Sequence, residues 1–355
     1  MSILRNPFIR TFLKFAAANA LAPELFDPTL EIDRCKELFK TYVKHFEVEH
    51  HSYCNRTCWF CPNSSVDRIS QNIRMDNKLL LKILNELAAI DYDQSFIWSG
   101  YGEPLADESI IDDIRLAKKM LPSSYQRLYT NGDYLTNEMI HALENAGLDQ
   151  LRVSLYPISD HRSEKPKLLK SLVDRTGLEL ADRSSRYDGL QLTGSRVLII
   201  VQVKDFKPKQ MYSRGGYLSK ESGYDDYQRT LPCFSPVMHL SVSHNGKCML
   251  CCQVRPDVKE HRSAIIGDLN VEDYSIYHYY RDLSSSRKAL LSPGAKTGVC
   301  KTCSVNPFGG GPYKWGRTDA VSKMFQSLPG CKTMMKALWL YPRLDRERYK
   351  RSGDP

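Results

Sequence analysis

From residue 45 to 203 the sequence alternates short apolar runs with stretches of helical periodicity, a rhythm that few architectures accommodate. Strand patterns fall at 46–50, 95–99, 126–130, 151–156 and 197–203. Helical patterns occupy 75–90, 109–120, 137–146 and 165–173, the third stopping at Gly147. Such alternation predicts βαβ units and a parallel sheet, with functional groups at the carboxyl ends of the strands. Five strands and four helices do not close an eight-stranded barrel. The expected fold is therefore α/β: a partial (β/α) TIM-type barrel of about five or six parallel strands, with a small C-terminal domain. Residues 175–194 read as a polar loop or insertion.

The chain has 355 residues and 11 cysteines, too sparse for a disulfide scaffold and clustered rather than even. Clustered thiols predict metal or redox chemistry in a reducing, cytoplasmic compartment. The first cluster, Cys54-Asn-Arg-Thr-Cys58-Trp-Phe-Cys61, directly follows the first strand. Three thiolates leave one position open on a four-iron cluster, whereas a closed structural zinc site needs a fourth ligand, for which His50 or His51 would have to serve. In the second set, Cys233 and Cys251 flank a hairpin-like segment turning at Asn245-Gly246, and Cys300 and Cys303 form a CxxC loop. Spacing alone leaves this set open between rubredoxin-type iron, structural zinc and a larger cluster.

The CxxxCxxC spacing after the first strand resembles the radical S-adenosylmethionine (SAM) family over about residues 45–205. Gly100-Tyr101-Gly102-Glu103-Pro104 resembles that family's Gly-Gly-Glu motif. The resemblance implies a SAM-binding [4Fe–4S] cluster on Cys54, Cys58 and Cys61. It implies SAM contacts from Phe60 beside the adenine, from Gly102 and Glu103 at the methionine amino group, and from Asn131 and Ser154 at strand ends. Arg214, in Ser213-Arg214-Gly215-Gly216, would hold a carboxylate of SAM or substrate, with an exposed surface arginine as the alternative. Beside such a domain, Cys233, Cys251, Cys300 and Cys303 resemble a twitch domain, the short form of SPASM, which implies a second, auxiliary [4Fe–4S] cluster. Cys248 and Cys252 are left as hydrogen-atom donors or buried small side chains, and Cys35 and Cys331 as core thiols.

The expected organisation is an N-terminal helical extension over 1–44, the partial barrel over 45–225, the auxiliary-cluster domain over 226–325 and a basic tail over 326–355. The short barrel with one auxiliary cluster most resembles the family's sugar- and aminocyclitol-modifying members, of the 2-deoxy-scyllo-inosamine dehydrogenase type. Reductive cleavage of SAM would give a 5′-deoxyadenosyl radical that abstracts hydrogen from an unactivated C–H. The expected outcome is two-electron oxidation of a secondary alcohol, with an electron donor such as flavodoxin or ferredoxin. An epimerase using a cysteine hydrogen donor is the first alternative. A ribosomal-peptide maturase is the second, although 1–44 is short for a peptide-recognition domain of about 80 residues.

The net charge of +9 invites a nucleic-acid reading, but its location argues otherwise. Residues 1–23 hold three basic residues and no acid, and 331–355 hold seven against three, leaving the body at +2. An iron–sulfur nucleic-acid module would also leave the Gly102-Glu103 motif unexplained. A weak membrane-surface contact through the basic ends is the expectation that remains. Residues 1–23 read as an amphipathic helix or, with Pro7 and Lys14 weakening it, a targeting segment.

Overall fold

The computed structural model describes residues 21–157, 161–185, 189–204, 211–292 and 294–305. Residues 1–20, the basic tail over 326–355 and Cys331 lie outside the described residues.

Helix α1 (Ile32–Tyr42) leads into β1 (His45–Val48). Then follow α2 (Asn77–Ala88), β2 (Ser95–Trp98), α3 (Ile110–Met120), β3 (Tyr125–Thr130), α4 (Asn137–Ala146), β4 (Gln150–Leu155) and α5 (His161–Thr176). An antiparallel pair, β5 (Glu179–Ser185) and β6 (Gly189–Thr193), precedes β7 (Leu198–Val203). The C-terminal region supplies α6 (Ser235–Met238), β8 (His239–Val242), β9 (Lys247–Met249), β10 (Ile265–Asp268), α7 (Ile276–Asp282) and α8 (Ser284–Leu291). Local signals set the helix ends: Asp76 caps α2 by accepting from the Lys78 N–H at 2.7 Å, and α4 stops at Gly147, which takes a left-handed φ of 93°.

All ten strands form one sheet in the order β10-β9-β8-β1-β2-β3-β4-β7-β6-β5. Its centre is parallel, β8-β1-β2-β3-β4-β7, which makes six parallel strands. The sixth, β8, comes from beyond residue 226 and pairs with β1 from His45↔His239 to Val48↔Val242. Residues 175–194 differ from the expected loop. They contain the β5–β6 ribbon, which runs antiparallel to β7 through Leu190↔Val201.

One face of the sheet is apolar: Phe46, Val48, Phe96, Trp98, Leu128, Val153, Ile199 and Val201 are buried there. The helices bury matching stripes, such as Leu80, Ile83, Leu84 and Leu87 of α2. Each such side chain contributes about 1.5–3 kcal/mol on burial. Most of the alternate residues, among them His45, Glu47, Arg127, Tyr129, Arg152 and Ser154, are polar and share the opposite, inner face with Ile97 and Ile200. The fold thus puts most of its apolar strand residues against the helical layer and gathers the polar ones on the inner face, beside the site.

Candidate active site

A cavity of about 300 Å³ opens at the carboxyl ends of β1 to β4. Its walls bring together Cys54, Cys58, Cys61, Phe60, Gly102, Glu103, Asn131, Ser154 and Arg214, residues that the sequence spreads over 160 positions. Parallel strands explain this, since each delivers its next loop to the same end of the sheet.

The three cysteines follow β1, and the Cys61 N–H donates to the Cys58 carbonyl at 2.9 Å, folding the loop into a tight turn. Burial pushes the Cys54 thiol up to about 12 and the Cys58 thiol to about 11. Thiols held neutral in this way release protons when a cation binds, and three soft donors on one wall suit iron with a coordination position left open.

Glu103 is 2% exposed, and burial raises its carboxyl to about 7. Its oxygens accept from the Thr130 hydroxyl at 2.6 Å and from the Asn131 and Leu105 N–H groups at 2.6 and 3.1 Å. The Asn131 side chain donates to Asn55 at 2.8 Å, and Asn55 and Arg56 both hold Asp133. Phe60 packs on Tyr156 with ring centres 4.9 Å apart, beside Met211 and Leu218, giving the cavity an apolar wall suited to a heterocycle. Arg214 sits in the left-handed region at φ 47°, and its Nε is buried without a hydrogen-bond partner. It therefore faces the cavity rather than the surface.

A buried network that the sequence did not disclose positions this loop. The Glu49 carboxylate accepts from the Tyr101 and Gly102 N–H groups at 2.9 and 3.1 Å, from Arg68 at 3.0 Å, and pairs with His244 at 2.6 Å. Burial opposes its charge, but Arg68 and His244 overcome this and hold the carboxyl well below the usual range. Arg68 and Arg255 share Asp257. Arg255 also donates to Asn63 at 2.6 Å, and Asn63 donates to the Tyr101 carbonyl at 2.9 Å. A Cβ on Gly102 would meet the His51 carbonyl oxygen at 2.2 Å, so only glycine fits there.

Deeper in the cavity, Glu47 of β1 pairs with His239 of β8 at 3.1 Å. The Cys252 sulfur completes a group whose ligand atoms all lie within 4.8 Å of one another. Cys248 does not join them. It lies on β9, fully buried in the core and remote from the cavity lining.

The four cysteines of the second set line a separate small cavity, with Arg229 and Leu250 among its other walls. Buried Arg229 donates to the Cys303 carbonyl at 3.1 Å, approaches its sulfur at 3.8 Å and donates to the Pro232 carbonyl at 3.1 Å. It thereby ties the Cys233 segment to the CxxC loop and places a positive charge beside the thiols. Burial drives the Cys300 thiol up to about 12, so this donor set too suits a bound cation. Gln253 lines both cavities, and the adjacent Cys251 and Cys252 face one each.

Residues 48–175 match the Radical SAM superfamily model. An S-adenosyl-L-methionine-dependent 2-deoxy-scyllo-inosamine dehydrogenase of Niallia circulans is 29% identical over 154 residues, 41% of this chain and 60% of that relative. The tungsten-containing aldehyde ferredoxin oxidoreductase cofactor-modifying protein of Pyrococcus furiosus is 29% identical over 113 residues, 32% of this chain and 31% of that protein. The chain thus spans less than two thirds of these relatives in the matched region. The crystal structure of BtrN in complex with AdoMet and 2-DOIA superimposes with a TM-score of 0.55 at 22% identity, covering 74% of this chain and 93% of BtrN, and so shares the fold. Such a domain implies SAM and a [4Fe–4S] cluster. Residues 48–175 thus carry a radical SAM domain, and the six parallel strands and the three cysteines after β1 accord with it.

Proposed function

We propose that this radical SAM enzyme oxidises a secondary alcohol of a small sugar- or cyclitol-like molecule by two electrons. The observation that carries the reading is the shared wall between the two cavities, where Cys252 and Gln253 face the first and Cys251 the second. When bound, the SAM cluster and SAM supply a hydrogen-abstracting 5′-deoxyadenosyl radical, and an auxiliary cluster supplies an electron acceptor beside it.

The chain's own residues do the rest in this reading. Cys54, Cys58 and Cys61 hold the first cluster, and Cys233, Cys251, Cys300 and Cys303 the second. Phe60, Gly102, Glu103, Asn131, Ser154 and Arg214 hold SAM at the rim of the cavity. The Glu47–His239 pair faces the cavity and takes the hydroxyl proton, which the sequence alone assigned to no residue. The barrel over 45–225, with β8 added from the following region, and the auxiliary-cluster region over 226–325 divide these tasks. Flavodoxin or ferredoxin would deliver electrons, in the cytoplasm.

Cys252 keeps one alternative in play. Its sulfur faces the cavity beside Glu47 and His239, where a thiol could return a hydrogen atom and make the outcome an epimerisation. Anaerobic turnover of candidate alcohols in deuterated water separates the two. Loss of two hydrogens supports the oxidation, and an unchanged formula carrying one solvent deuterium supports the epimerase.

A further inference from the structure

Three donors of different chemistry meet in the wall of the substrate cavity. They are the Glu47 carboxylate from β1, the His239 imidazole from β8 and the Cys252 thiol from the segment after β9. Strand pairing brings the first two together, since His239 lies opposite His45, two residues before Glu47. The His239 Nε2 stands 3.1 Å from a Glu47 oxygen, and the three ligand atoms all lie within 4.8 Å of one another. Donors around a four-coordinate zinc, at bonds of about 2.0–2.3 Å, stand roughly 3.3–3.8 Å apart. Closing the set therefore takes no more than about 1.5 Å.

The neighbours hold these donors in place. The His45 ring stands edge-on to the His239 ring with centres 5.5 Å apart, which fixes the imidazole plane. The Arg214 guanidinium donates to the Gln253 side-chain oxygen at 3.4 Å, and so turns the Gln253 amide nitrogen to the Cys252 sulfur at 3.6 Å. Outer groups of this kind orient the donors of a metal site. Carboxylate, imidazole and thiolate together suit a borderline ion, whereas magnesium takes oxygen donors and copper(I) prefers sulfur. Three protein donors beside an open cavity match catalytic rather than structural zinc.

We propose that Glu47, His239 and Cys252 bind a zinc ion whose fourth position, open to the cavity, takes the alcohol oxygen of the substrate. This rests on the reading of the cavity as the site of alcohol oxidation, and it supplies the step that frees the hydroxyl proton. Zinc acidifies an oxygen bound to it. The O–H bond breaks there, and the proton passes to the second carboxylate oxygen of Glu47. Cys252 binds as the thiolate, its own proton leaving to solvent. A loaded site then has no S–H hydrogen to return to a substrate radical, which favours oxidation over epimerisation.

The test is zinc uptake by the anaerobically reconstituted protein, with both clusters in place and loosely held metal removed by a chelator. Dialysis against chelator-buffered zinc should load one zinc per chain with the iron content unchanged. X-ray absorption at the zinc edge should show one sulfur at about 2.3 Å and nitrogen or oxygen donors at about 2.0–2.2 Å. Cys252→Ser and His239→Gln should each weaken uptake by about 100-fold or more, and Gln253→Leu by about tenfold. Retained iron shows that a variant has folded, and three variants keep the test decisive if one does not. No uptake with the clusters intact, zinc gained at the expense of iron, a shell of three or four sulfurs, or affinity unchanged in folded variants would overturn the proposal. Reductant-dependent release of 5′-deoxyadenosine is read separately on the same samples, so a failure of the radical reading is distinguishable from a failure of the zinc site.

Discussion

Replacing Glu49 by glutamine tests whether the buried network holds the cavity in shape. The amide oxygen can still accept from the Tyr101 and Gly102 N–H groups, so the loop keeps its bonds and the shape of the side chain changes little. What is lost is the negative charge between Arg68 and His244, whose side chains are 2% and 7% exposed. Removing one partner of a buried ion pair costs about 3–5 kcal/mol. Arg68 keeps Asp257 and the Ser52 carbonyl, which places the loss near the lower end, at about 3 kcal/mol. At about 2.1 cal/mol/K of unfolding entropy per residue, a chain of this length would melt roughly 4 °C lower at neutral pH. The folded-state carboxyl lies below its ordinary value of 4.5, so its stabilisation is present above that pH and is lost as the pH falls. The gap between wild type and Glu49→Gln, followed by thermal melts, should therefore narrow on acidification below 4.5. A neutral-pH gap under about 1 °C, or one that widens in acid, would refute the reasoning.

Two further outcomes follow from the geometry. Gly102→Ala drives a Cβ to 2.2 Å from a backbone oxygen that cannot yield cheaply, so SAM affinity measured by equilibrium dialysis should fall by about tenfold or more. Arg229→Gln cuts the tie between the Cys233 segment and the CxxC loop. Iron analysis should then show loss of up to about four irons per chain, with the remaining cluster still able to cleave SAM.

Much of the architecture was legible because it is written locally. Strands 95–98 and 198–203 and helix 137–146 each carry their own periodicity and stop signals within a dozen residues. The β5–β6 ribbon was not legible, since an edge pair with residues such as Asp182, Arg183 and Gln191 has the composition of a loop and becomes a strand only through its neighbour β7. β8 was hidden for a related reason: its partner β1 lies almost 200 residues earlier, and nothing in His239–Val242 names it. The cysteine motif and the strand-end residues marked the cavity, because loop position follows from strand order. The Glu49, Arg68 and Arg255 network left no trace, since Arg68 pairs with Glu49 across 19 positions, Arg255 with Asn63 across 192 and His244 with Glu49 across 195, and each reads alone as an ordinary surface charge. The separate fates of Cys248 and Cys252 were equally invisible, because the backbone around β9 decides which thiol enters the core and which enters the cavity.

Reductive cleavage of SAM tests the central claim most directly. Anaerobically reconstituted protein, given SAM and a low-potential reductant, should bind roughly eight irons and release 5′-deoxyadenosine and methionine. Cys58→Ala should abolish that release while roughly four irons remain bound at the second set of cysteines. Full iron loading with reduced clusters and no 5′-deoxyadenosine, or unchanged cleavage by Cys58→Ala, would contradict the account.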